Sequence, residues 1–136
     1  MTDAPTAGAV VELDAAQFNV RIAGHPLAIV DFWAPWCAPC RGFAPTFAAA
    51  AERHPDALFA KVNTEDEQAL AAHFGIRSIP TLMIFRDDVI VYAEAGALPA
   101  SALEQVIAAA KALDMDDVRR EIAAQGAGDA AAGTAG

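Results

Sequence analysis

Trp33-Ala34-Pro35-Trp36-Cys37-Ala38-Pro39-Cys40 is the stretch on which the reading of this chain turns, and it holds both cysteines and both tryptophans. Leu27–Phe32 leads into it as a nearly unbroken apolar run. Such a run suits a strand covered on both faces, so it is expected at the centre of a sheet. An alanine-rich pattern with Phe43 and Phe47 four residues apart leads out of it and reads as a helix. The two thiols therefore fall on a strand-to-helix turn.

On a helix, residues three apart share a face with Cα atoms roughly 5 Å from each other, inside the range a disulfide needs. Cys37 and Cys40 can open and close such a bond with little backbone movement. Pro39 falls in the first turn, where amide protons lack helical partners, and Pro35 stiffens the approach. Free amides and the helix dipole favour a negative sulfur at the N-terminus, so Cys37 is the expected attacking thiolate and Cys40 the resolving thiol. The same spacing is also half of a zinc site. A closed site needs four ligands, however, and there is no second cysteine pair, while His25, His54 and His73 lie in separate predicted elements. No metal site is expected.

Working outward, Val10–Leu13 reads as a short strand and Asp14 as the N-cap of a helix to about Ala23, with Phe18 and Ile22 on one face and Gly24 as its stop. Pro45 is expected to kink the helix after the cysteines. Leu58–Val62 reads as a buried strand. Thr64-Glu65-Asp66-Glu67 then looks like the acidic start of a helix that ends at Gly75. Thr81–Phe85 and Val89–Ala93 form a predicted hairpin across Asp87-Asp88, and a last amphipathic helix spans about Pro99–Leu113. Helical crossovers imply parallel pairing and the short final connection an antiparallel pair. The predicted fold is thus an α/β domain: a central mixed sheet of about five strands with helices on both faces.

The chain has 136 residues, room for one domain with a core. A net charge of −9 without a basic patch argues against nucleic acid and against anionic membrane surfaces. No apolar run approaches the roughly 20 residues that span a bilayer, and the N-terminus does not read as a secretory signal. A cytoplasmic location is expected, where two close cysteines suggest redox chemistry over a structural staple. Residues 1–9 read as a flexible leader, 10–113 as the domain, 114–125 as an additional amphipathic helix with Met115, Val118 and Ile122 at helical spacing, and 126–136 as a disordered Gly/Ala tail.

Val30-Asp31-Phe32-Trp33-Ala34-Pro35-Trp36-Cys37-Ala38-Pro39-Cys40 and Phe74-Gly75-Ile76-Arg77-Ser78-Ile79-Pro80-Thr81 together resemble bacterial thioredoxins. The likeness extends over about Val10–Leu113 and implies the thioredoxin fold, with the helix at 114–125 as an extra C-terminal element. It implies a protein-disulfide reductase acting by dithiol exchange, recycled by an NADPH-dependent thioredoxin reductase, with no bound cofactor beyond the redox-active disulfide Cys37-Cys40. A monomer acting on disulfide-containing protein substrates is expected. The resemblance also implies that Pro80 follows a cis peptide bond beside the cysteines and that the Ile79 backbone pairs with an extended substrate. Trp36, Ala38, Pro39, Gly96 and Ala97 would complete a flat apolar docking surface.

Asp31 is a carboxylate inside an apolar strand, where unpaired burial raises its proton affinity. By the resemblance it would exchange a proton with Cys40, accompanied by Lys61. The wording around the cysteines is closest to a thioredoxin-2-like subgroup, whose N-terminal zinc domain has no counterpart in this sequence. Ala38 stands where the commonest form has glycine, and Asp88 where the hairpin usually has glycine. A thioredoxin-like client-binding protein or redox-active chaperone is the alternative reading.

Overall fold

The computed structural model describes the backbone of residues 8–135 and the side chains as far as residue 125, so residues 1–7 of the expected leader lie outside it. The strands are β1 (Val10–Glu12), β2 (Leu27–Trp33), β3 (Leu58–Asn63), β4 (Thr81–Arg86) and β5 (Val89–Ala95). The helices are α1 (Ala15–Ala23), α2 (Ala38–Arg53), α3 (Gln68–His73), α4 (Ala100–Ala112) and α5 (Met115–Ala135). They alternate as the sequence predicts. The sheet order is β1-β3-β2-β4-β5, which puts β2 at the centre.

Strict alternation along β2 splits the core in two. Leu27 and Ile29 face Phe43 and Phe47 of α2 and Leu103 and Ile107 of α4. Ala28, Val30 and Phe32 face the other way, onto Phe18 and Ile22 of α1. On that side the rings of Phe18, Phe32, Phe74 and Phe85 pack at tilted and edge-on angles, with centroids 5.3–6.4 Å apart. Aromatic pairs favour such geometry.

Asp14 caps α1 as expected, accepting the Gln17 N–H at 2.9 Å. Gly24 follows in ordinary right-handed geometry, with φ −77°. Pro45 lies inside α2, which continues through it to Arg53. The hairpin turn places both Asp87 (φ 51°) and Asp88 (φ 67°) in the left-handed region. That pair of positive angles is the two-residue turn that follows the twist of the flanking strands, and aspartate tolerates it better than most side chains.

Three expectations need correction. The acidic residues 64–67 do not start a helix. Asn63 captures this segment, its side chain accepting the Glu65 N–H and its carbonyl the Glu67 N–H, both at 2.9 Å, so α3 begins only at Gln68. Local side-chain bonds of this kind compete with helix. Secondly, the crossover after β3 does not return parallel, because β4 runs antiparallel to β2. Six residues of α3 rise only about 9 Å, too little to carry the chain back along a strand. The chain stays at the end of the sheet where β2 meets α2, and β4 starts there with Thr81 opposite Phe32. Thirdly, α5 does not stop near residue 125. Its backbone is helical to Ala135, through a segment in which alanine, the best helix former, recurs.

Arg86 ties the far end together. Its Nη1 donates to the carbonyls of Ala110 (2.6 Å), Lys111 (3.2 Å) and Leu113 (3.5 Å). A cation is favourable at the C-terminal end of a helix, and here it adds to the long bond, 3.4 Å, that the Ala110 carbonyl accepts from the Leu113 N–H. Replacing Arg86 by Met is expected to cost about 1.5–3 kcal/mol in urea unfolding, the range for bonds to a charged group. A loss below about half a kcal/mol would show that solvent already satisfies those carbonyls.

Candidate functional site: a dithiol at a helix N-terminus

Cys37 is the N-cap of α2, with extended backbone (φ −89°, ψ 110°), and its Sγ accepts the Cys40 N–H at 3.2 Å. Cys37 and Cys40 are joined as a disulfide with Cα atoms 5.2 Å apart, the spacing expected of one helical turn. Ala38 and Pro39 occupy the first two helical positions and are exposed, whereas both cysteines are buried. Free amides and the dipole at this end stabilise negative charge on Cys37 when the bond opens. Arg41, one turn on, donates from Nη1 to the Pro35 carbonyl at 2.8 Å and braces the loop.

The opposite wall arrives with β4. The Ile79–Pro80 peptide is cis, and the Ile79 carbonyl oxygen lies 3.7 Å from Cys37 Sγ. Gly96, at φ +113°, donates its N–H to the Pro80 carbonyl at 2.7 Å, so the end of β5 is fastened to the same corner. A side chain at that angle would be strained. Ala97, next in the chain, is exposed. Trp36 is 64% exposed, and its indole N–H donates to Glu65 Oε2 at 2.9 Å. The site thus brings together Trp36, Cys37, Ala38, Pro39, Cys40, Ile79, Pro80 and Gly96 from three separate segments of chain.

Asp31 is 1% exposed, and neither carboxylate oxygen has a hydrogen-bond partner among the described residues. Burial pushes its carboxyl up to about 7; Lys61 pulls the other way and Glu12 adds to the rise. Lys61 stands opposite Asp31 in the β2–β3 register, with its ammonium 4.1 Å above the centroid of the Trp33 ring. The Trp33 indole N–H in turn donates to Glu12 Oε2 at 2.8 Å.

Sequence reasoning missed Glu12, Glu65 and Thr64. Thr64 donates from both N–H (2.8 Å) and Oγ1 (3.0 Å) to the Trp33 carbonyl, pinning the loop after β3 against the end of β2. Each partner lies more than twenty residues away, and the only local signal was Glu12 interrupting an apolar strand. The histidines are scattered: His25 contacts the Arg21 carbonyl, His54 contacts Glu104 and Lys111, and His73 packs on the Phe74 ring. Among the described residues no group of three or more His, Cys, Asp or Glu could hold a metal ion.

A pair of cysteines that form a disulfide at the capped start of a helix, facing a cis proline, makes this a thiol-disulfide oxidoreductase. Residues 9–109 match the family profile described as Thioredoxin. The chain belongs to the thioredoxin family, and its Cys37-Cys40 pair is the redox-active disulfide of a protein-disulfide oxidoreductase. It is 50% identical over 115 residues to a thioredoxin-2-type protein of Streptomyces coelicolor, covering 85% of this chain and 86% of that one. Among solved structures, a point-variant thioredoxin of Halobacterium salinarum superposes with a TM-score of 0.75 at 29% identity, covering 84% of this chain and 99% of that one. The structure of a complex of ferredoxin:thioredoxin reductase with thioredoxin f2 contains a chain that matches with a TM-score of 0.71 at 33% identity, covering 79% and 99%.

The raised Asp31 has a measurable consequence for stability. Its ordinary value is 3.8 and its folded value about 7, so between those pH values the native state holds a proton that the unfolded chain has released. Stability therefore falls as pH rises through that window and levels off above it, by a total on the order of 4 kcal/mol. Asp31→Asn should abolish the fall in unfolding titrations at a series of pH values. Equal slopes in parent and variant would contradict the burial of an unpaired carboxyl.

Proposed function

We propose that the protein reduces disulfides of protein clients in two steps. The thiolate of Cys37 attacks one sulfur of the client disulfide, forming a Cys37–client bond and releasing the other client sulfur as a thiolate. Cys40 then gives its proton to the Asp31 carboxylate and attacks Cys37 Sγ, which closes the Cys37-Cys40 disulfide and frees the second client thiolate. The protein loses two electrons and the client gains them. The observation that carries this reading is the Cys37 sulfur set as the cap of α2, accepting the Cys40 N–H.

Trp36, Ala38, Pro39, Ile79, Pro80, Gly96 and Ala97 form the client-docking surface in this reading, with the Ile79 backbone pairing to an extended client segment. Lys61 accompanies Asp31 across the β2–β3 pair. A thioredoxin reductase, an NADPH-dependent flavoprotein, returns the dithiol, and the protein works as a cytoplasmic monomer without a bound cofactor. No helix among the described residues is long and apolar enough to cross a membrane, and the charge of −9 disfavours nucleic acid. The thioredoxin-like folded unit is residues 10–113, with α5 appended. A client-holding chaperone would give Asp31 no task, and the burial of that carboxyl favours the redox reading.

Cys40→Ser should accumulate mixed disulfides with oxidised client proteins on non-reducing gels, because the second step is blocked. Cys37→Ser should accumulate none. The reverse pattern would make Cys40 the attacking sulfur and overturn the proposed order.

A further inference from the structure

Glu12, Lys61 and Asp31 occupy one row across three adjacent strands. Parallel pairing sets Glu12 of β1 opposite Lys61 of β3, and Lys61 opposite Asp31 of β2. Paired residues project from the same face, so the Lys61 position stands between two carboxylate positions, with roughly 10 Å from the first strand to the third. Beyond Asp31 the row continues to uncharged Leu82 on β4 and to exposed Glu94 on β5. Lys61 and Glu12 are the charges that act on Asp31. Cys37 and Cys40 are disulfide-bonded and Arg41 is held by the Pro35 carbonyl. Glu104 and Lys111 of α4 are engaged with Arg53, His54 and Asp56 around the C-terminal end of α2.

Lys61 does not close on Asp31, both of whose oxygens are without partners among the described residues. Its ammonium sits instead over the Trp33 ring, and Trp33 is anchored by its indole N–H on Glu12. We propose that Glu12 is a positioning residue for the dithiol chemistry, acting through Lys61: it anchors the Trp33 ring beneath the ammonium and offers that ammonium a second carboxylate, which keeps Lys61 from pairing with Asp31. The consequence is chemical. An ion-paired carboxylate is a weaker proton acceptor, whereas the buried Asp31 of this structure stays basic enough to take the Cys40 proton. At Asp31 burial raises the carboxyl most, Lys61 lowers it and Glu12 raises it, the directions this arrangement requires. The inference rests on the reading of Asp31 as that proton acceptor.

The test is a carboxyl-carbon NMR titration of Asp31 in the oxidised full-length protein, with Glu12→Gln and Glu12→Asp. It is paired with the pH profile of mixed-disulfide resolution by the reduced protein. Glu12→Gln keeps an acceptor for Trp33 but removes the charge, and should lower the Asp31 midpoint by roughly half a unit, as one charge acting across two strand spacings would. The pH profile should move the same way, and Glu12→Asp should keep both near the parent. An unchanged midpoint in Glu12→Gln, or equal shifts in the two variants, would overturn the role of Glu12 while leaving Asp31 as acceptor. A parent protein in which Asp31 does not titrate within about two units of neutrality would overturn the Asp31 reading and the proposal together.

Discussion

The hydrogen bond from the Cys40 N–H to Cys37 Sγ is the constraint on which the rest of the site depends. It makes the Cys37 sulfur the cap of α2, where the helix offers unpaired donors and the positive end of its dipole and so favours negative charge. Cys40, one turn further in, receives less of that field. Chemically identical thiols become different by three residues of chain.

Holding the sulfur there requires a rigid base, and the central strand supplies it. β2 is hydrogen-bonded on both sides, to β3 and β4, and covered on both faces. The brevity of α3 matters equally. Because it cannot span the sheet, the chain re-enters it at the same end, which brings Ile79 and Pro80 against the cysteines and Gly96 against Pro80. The one discord in this core is Asp31, whose unpaired carboxyl opposes folding at neutral pH. Local costs of that kind concentrate at functional positions, and here burial raises the Asp31 carboxyl most, with Lys61 lowering it and Glu12 adding to the rise.

Most of the fold was legible because its signals are local and mutually consistent. The unbroken apolar run of β2, the Asp14 cap and the Asp87-Asp88 turn each carry their own physical cause within a few residues. The extent of α3 and α5 was not legible. In the first case Asn63 takes amide protons that a helix start would have left free, and in the second alanine propensity outweighs scattered glycines. For the site, Cys37 and Cys40 could be read from their spacing at a strand-to-helix turn together with the lack of a second cysteine pair, while the place of Pro80 came from family resemblance. The bonds of Glu12 to Trp33 and of Glu65 to Trp36 arise from strand register and loop placement, which no local pattern encodes.

At the helix N-terminus Cys37 is expected to be the more acidic thiol. The direct measurement is the pH titration of thiolate ultraviolet absorbance in the fully reduced protein, with Cys37→Ser and Cys40→Ser alongside. The expected result is a first thiolate forming clearly below the ordinary cysteine value of about 8.5, retained in Cys40→Ser and lost in Cys37→Ser. A first thiolate at or above that value, or one that survives in Cys37→Ser, would contradict it.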